Sequence, residues 1–225
     1  MQPTRHDPSP TDLRAALSHP DPSTRLRAAL AAGTRPDPVL LETLVDRCGS
    51  EPDFFVRDML TWAVTRHPAR TTVPRLLAEL GADRTQARSQ ALHTLSKIGD
   101  RAAWPAVVAL VHDTDDDVAR TAWRAAVALV PSGEEATLAA QLAQELGRGD
   151  RETQLSLSRA LVALGDVVLP LLEEAAAVPE PRVRAHARAT ERLRHDPESG
   201  FDLAREEATR IVLTNAAPAT ADPPC

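Results

Sequence analysis

The sequence predicts an all-α fold: a right-handed superhelix of about six helical hairpins, closed by a C-terminal capping helix. Two observations carry this expectation. The first is the alphabet. Hydrophobic residues make up 43% of the 225, yet aromatics only 3%, tyrosine is absent and Lys97 is the sole lysine. Alanine and straight-chain residues propagate helices, whereas sheets draw on β-branched and aromatic residues. The second is an internal period, the signature of an array of repeats.

The segment 83-DRTQARSQALHTLSKIGD-100 sets the template. With Arg88 at position zero, Ala87, Ala91, Leu95 and Ile98 fall at −1, +3, +7 and +10, one side of a helix. Arg57 keeps the register with Val56, Leu60 and Val64, and Ala119 with Val118, Ala122, Ala126 and Leu129. Gln154 keeps it with Leu157, Leu161 and Leu164; weaker copies centre on Arg25 and Arg184. Successive zero positions lie 32, 31, 31, 35 and 30 residues apart.

Two further columns run in the same register. Pro74, Pro105 and Pro170 stand fourteen residues before zero, each opening a Leu/Val-rich stretch. Asp21, Asp53, Asp83, Asp115, Asp150 and Glu180 stand four or five residues before zero, where an acidic side chain caps orphan N–H groups and meets the helix dipole. Each unit therefore reads as a helix, a turn, an acidic N-cap and a second helix.

The run D…VR…A…AL..IG, preceded by a proline-bearing helix, resembles the HEAT repeat in its short phycobilin-lyase-type form, over roughly residues 11–195. The resemblance implies an α-solenoid, armadillo-like in outline, whose second helices line a concave partner-binding surface. It also implies that Asp53, Arg57, Asp83 and Arg88 form a structural ladder between neighbouring units and are not catalytic. Ala119 and Gln154 depart from the arginine column, and Glu191 stands where an apolar residue is expected, as suits a terminal repeat facing water. The repeat domain is expected over 11–214. It would end in 201-FDLAREEATRIVLT-214, a helix that follows the breakers Pro197 and Gly200. Residues 1–10 and 215–225 are expected to be disordered.

The binding face follows from the same register. In 54-FFVRDMLTWAVTRH-67, Val56, Leu60, Val64 and His67 share the core side, leaving Phe55, Asp58, Trp62 and Arg66 on the other. The +5 column reads Leu30, Trp62, His93, Arg124, Arg159 and Ala189, and the neighbouring columns add Lys97 and Arg120. A basic centre with an aromatic edge is thus expected on a chain whose net charge is −6. Trp62 is read as an exposed hot-spot residue, and Trp104 and Trp123 as packing residues.

Several chemistries are not supported. Counting from Asp113, the positions where an EF-hand needs Gly and Glu hold Val118 and Arg124, so 112-HDTDDDV-118 reads as a turn with an N-cap. No zinc-ligand pair, phosphate-binding glycine loop or nucleophile elbow occurs. Cys48 reads as a small buried hydrophobe, and Cys48 with Cys225 makes no disulfide framework. No apolar run approaches 18 residues and the first ten contain no signal-peptide core, so a cytoplasmic protein without membrane attachment is expected.

The expectation is therefore a non-enzymatic, cofactor-free, monomeric adaptor or scaffold, binding an acidic or amphipathic segment of another protein. The resemblance also admits a HEAT-like DNA glycosylase or a bilin-lyase maturation subunit. The acidic net charge argues against nucleic acid.

Overall fold

The computed structural model describes residues 8–196, all helix, turn and loop with no strand. The expected capping helix at 201–214, the tail at 215–225 and residues 1–7 lie outside the described residues. The chain divides into two compact units between Glu145 and Leu146.

The first unit holds α1 (Pro10–Leu17), α2 (Pro22–Thr34), α3 (Leu41–Cys48), α4 (Phe54–Thr65), α5 (Ala69–Glu79), α6 (Thr85–Ile98), α7 (Trp104–Val108), α8 (Asp116–Leu129) and α9 (Glu135–Ala143). Helix α1 begins inside the stretch expected to be disordered. Ser9 caps it through a reciprocal bond with Asp12, and Pro10 sits in its first turn. Helices α1 to α8 form four sequential pairs, and the second helices α2, α4, α6 and α8 stand side by side. They pack on one another more extensively than the first helices do.

Small residues permit that closeness. Ala28, Ala29, Ala32 and Gly33 of α2 are buried, as are Ala87 and Ala91 of α6 and Ala119, Ala122 and Ala126 of α8. The larger core side chains include Leu60, Leu92, Leu95, Trp123 and Leu129, all fully buried. The predicted apolar columns are therefore the core columns; Ile98, at the end of its helix, is only half-buried.

The arginine column mainly closes turns inside its own units; the expected ladder between neighbouring units is seen at Arg25, which reaches Glu51, and at Arg88, which reaches Asp113. In four repeats the zero-position arginine donates to the carbonyls six and five residues before it, closing the turn that feeds its own helix. Arg25 reaches His19 and Pro20, each at 2.8 Å. Arg57 reaches Glu51 and Pro52 at 2.7 and 2.9 Å. Arg88 reaches Ala82 and Asp83 at 2.9 and 3.2 Å, and Arg184 reaches Val178 and Pro179. Gln154, the departure from the column, bonds Gly149 at 3.4 Å and serves the equivalent turn. Where Ala119 stands, the indole of Trp123 instead donates to the Val111 carbonyl at 2.8 Å.

Asp21, Asp53, Asp115, Asp150 and Glu180 each cap a helix as expected. Asp83 does not. It lies five residues before zero rather than four, so Arg84 occupies the N-cap of α6 and makes no side-chain cap bond.

Helices α10 (Arg151–Ala163), α11 (Leu169–Ala177) and α12 (Pro181–His195) form the second unit, in which α12 packs against both α10 and α11. The expected fifth pair is divided, since α9 belongs to the first unit and α10 to the second. Within the second unit buried His186 joins elements together: its Nδ1 accepts from the Gly147 amide at 2.9 Å, and its Nε2 lies 2.9 Å from the Gln154 carbonyl. The chain is all-α, built of repeated helical pairs.

Candidate functional site

On α4 the residues Phe55, Asp58, Trp62 and Arg66 recur at spacings of three and four, which makes one stripe along the helix. All four are exposed, while Val56, Leu60, Val64 and His67 are buried on the other side. The stripe begins with more apolar surface than the register indicated. Phe54 is 65% exposed and Phe55 71%, their rings meeting edge to face with centroids 5.7 Å apart. Phe54 escaped the sequence reading because its position, three before zero, belongs to neither the core nor the face columns.

Trp62 is exposed to 37%, and the remainder of its ring is seated on α2. A Cβ placed on Gly33 would lie 2.6 Å from the Trp62 Cε3 and 2.9 Å from the Ala63 Cα. The side chain expected to stand free is therefore held against glycine backbone, with its outer part left open. Leu30, the +5 residue of α2, is 48% exposed and extends the apolar surface.

The next two helices supply the charge. His93 and Lys97 lie one turn apart on α6, and Arg120 and Arg124 one turn apart on α8. Burial holds His93 below its ordinary pKa, and Lys97 and Arg124 push the same way while Asp58 opposes them. Four expected site residues, on three helices, thus share one electrostatic neighbourhood. Arg124 is exposed and donates to the Thr121 hydroxyl at 3.2 Å; Arg120 is half-buried, with its Nη1 3.7 Å from Asp117. Arg57, Ser89, Arg120 and Arg124 help line a polar groove of about 450 Å³ spanning α4, α6 and α8. Arg159 is exposed on α10, in the second unit.

The row α2–α4–α6–α8 thus carries an apolar half on α2 and α4, a cationic half on α6 and α8, and Asp58 between them. Trp123 and Trp104 play the packing roles expected of them, buried and half-buried respectively. Cys48 is buried, and burial pushes its thiol up to about 12, so it is no nucleophile at neutral pH. In 112–118, Asp115 accepts from the amides of Asp117 and Val118, the N-cap geometry expected there. Among the described residues no three His, Cys, Asp or Glu side chains are grouped to hold a metal ion. No described helix is long and apolar enough to cross a membrane.

No family model matches the chain, and no curated protein matches it. Among solved structures it is similar to two engineered proteins. One is 17% identical with a TM-score of 0.43, covering 79% of this chain and 95% of that one. The other is 18% identical with a TM-score of 0.40, covering 79% and 93%. It is also similar to a designed armadillo repeat protein, at 15% identity and a TM-score of 0.31, covering 81% of this chain and 98% of that one.

Proposed function

We propose that the second-helix face of the first unit docks a segment of another protein that is both acidic and apolar, and that the chain works as a non-enzymatic adaptor or scaffold. The observation that carries this reading is one juxtaposition. Trp62 and Phe55 stand exposed on α4, beside the cations Lys97 and Arg124 with the His93 ring in the same neighbourhood. On a chain of net charge −6, solubility does not require a positive patch. Exposed aromatics beside it are the residue types that dominate interface energetics. An acidic segment with an apolar anchor complements both halves.

The repeats that present this face are HEAT-like in our reading, supported by the recurring arginine that closes the turn before the second helix. We place the protein in the cytoplasm as a monomer.

The test compares wild-type, Trp62→Ala and Arg124→Glu proteins as affinity baits in host lysate, then titrates a peptide of the captured segment. Both variants should weaken that peptide at least tenfold, and the Arg124→Glu complex should lose salt sensitivity. Capture by all three baits with equal affinity would remove this face from the function.

A further inference from the structure

The groove spanning α4, α6 and α8 has a composition unlike the rest of the face. Three arginines, Arg57, Arg120 and Arg124, line it together with one carboxylate, Asp117. Its volume of about 450 Å³ suits a side-chain-sized ligand group. Ser89 also lines it, and the Ser89 hydroxyl oxygen is shielded from solvent with no hydrogen-bond partner among the described residues. A shielded hydroxyl left without a partner is costly unless a ligand supplies one.

We propose that this groove is a phosphate-recognition site, taking the phosphorylated serine or threonine of the docked segment. Three physical points favour a phosphate over a carboxylate. A phosphomonoester carries a charge of about −2 at neutral pH, more than a carboxylate can offer to a groove lined by several arginines. It offers three strong acceptor oxygens, enough for more than one guanidinium and a hydroxyl together. Planar guanidinium forks suit phosphate geometry, and here three of them border one groove. Arg57 is positioned in advance, because its Nη1 is tied to the carbonyls of Glu51 and Pro52. A long nucleic-acid backbone fits less well, since a chain of net charge −6 repels a polyanion beyond the single groove. The inference rests on the proposed docking face for the identity of the ligand's carrier, though not for the anion chemistry itself.

The experiment uses the full chain and follows its backbone amide and arginine side-chain signals by NMR. The probes are inorganic phosphate, sodium acetate, a capped phosphoserine peptide with a neighbouring leucine, the same peptide carrying glutamate, and a short DNA duplex. Phosphate and the phosphopeptide should saturably shift the signals of Ser89, Arg57, Arg120 and Arg124. Acetate and the glutamate peptide should bind at least tenfold more weakly. Arg120→Gln with Arg124→Gln should abolish the phosphate response, and Ser89→Ala should weaken it about threefold without lowering the melting temperature.

Trp62→Ala should leave inorganic phosphate binding unchanged while weakening the peptide. That separates the two readings: loss of peptide affinity with no phosphate response sinks the groove alone, whereas phosphate binding with no effect of Trp62→Ala on the peptide sinks the docking face alone. Equal response to acetate, shifts spread evenly over the chain's arginines, or tighter binding of the duplex than of the phosphopeptide would each overturn the proposal.

Discussion

The Trp62 ring rests where Gly33 has no side chain, one helix lending the other its missing Cβ. A methyl group there would stand 2.6 Å from Cε3 of the ring, nearer still to Cζ3, and 2.9 Å from the Ala63 backbone. The glycine thereby does two things. It lets α2 and α4 approach closely, and it holds an indole on the face with its outer part still open to a partner. An aromatic side chain held in advance loses less freedom when it binds, which favours affinity.

Gly33→Ala should therefore damage both roles. The ring has to lift or the helices part, at a cost of about 1–3 kcal/mol typical of overpacking. A urea melt reads the stability. A red shift in tryptophan emission reads the displaced ring, because Trp104 and Trp123 lie on α7 and α8, away from Gly33, and supply the background. If melt and emission both match wild type, the close approach is not a constraint.

Among the described residues Glu51 is the one fully buried carboxylate. Arg25 meets it through two bonds of 2.8 and 2.7 Å, Arg47 adds one of 2.6 Å, and the Asp53 amide a fourth of 3.1 Å. Burial alone would raise the carboxyl's pKa; the Arg25 pair, the amide and Arg47 together hold it below its ordinary value. Glu51→Gln strands Arg25 in a buried site, so the loss should approach the roughly 3–5 kcal/mol of a broken buried pair. A depressed carboxylate gives stability that is complete above its unfolded pKa and disappears as pH falls through the folded one. Wild type should accordingly lose stability in acid more steeply than the variant. Parallel slopes in chemical melts below pH 5 would contradict the assignment.

Leu95 tests the repeat core directly. It is 1% exposed and belongs to the apolar column that the register defined. Leu95→Ala should cost about 2–5 kcal/mol, the usual penalty for truncating a buried leucine. A melt unchanged by the substitution would mean that Leu95 of α6 is not a core residue.

Much of this was legible because a repeat states its rules several times. Positions −1, +3 and +7 return apolar residues in successive units, so the core column survives any single exception. The exposed stripe of Phe55, Asp58, Trp62 and Arg66 followed from the same geometry. What escaped depends on one local distance or one local shift. Asp83 stands a residue too early to cap α6, and nothing short of the turn itself reveals it. The seat of Trp62 on Gly33 joins residues 29 apart, and a lone glycine inside a helix carries no label saying which side chain fills its gap. Ser89 looks like any helix-surface serine; its significance comes from the groove that encloses it.

His186 supplies the last prediction, in the second unit. Its Nδ1 accepts the Gly147 amide, so that nitrogen carries no proton, and Nε2 faces the Gln154 carbonyl at 2.9 Å, with the Ser158 hydroxyl 3.1 Å away. A second proton would have to sit on Nδ1 against an N–H already pointing at it. Burial, partly offset by the Gln154 bond, holds the ring below its ordinary value of 6.5. The sign follows: the unfolded chain takes up the proton first, so stability is full above the unfolded pKa and declines as pH falls from there toward the folded one. His67 and His93 are shifted the same way and add slopes of the same sign, so the measurement must be a difference. His186→Gln should lower stability at pH 7.5 by about 1–3 kcal/mol, since the Gly147 amide loses its acceptor. Between pH 7.5 and 5 it should also flatten the pH dependence relative to wild type. A variant that melts lower but keeps the full wild-type slope would show that His186 packs the second unit without sensing protons.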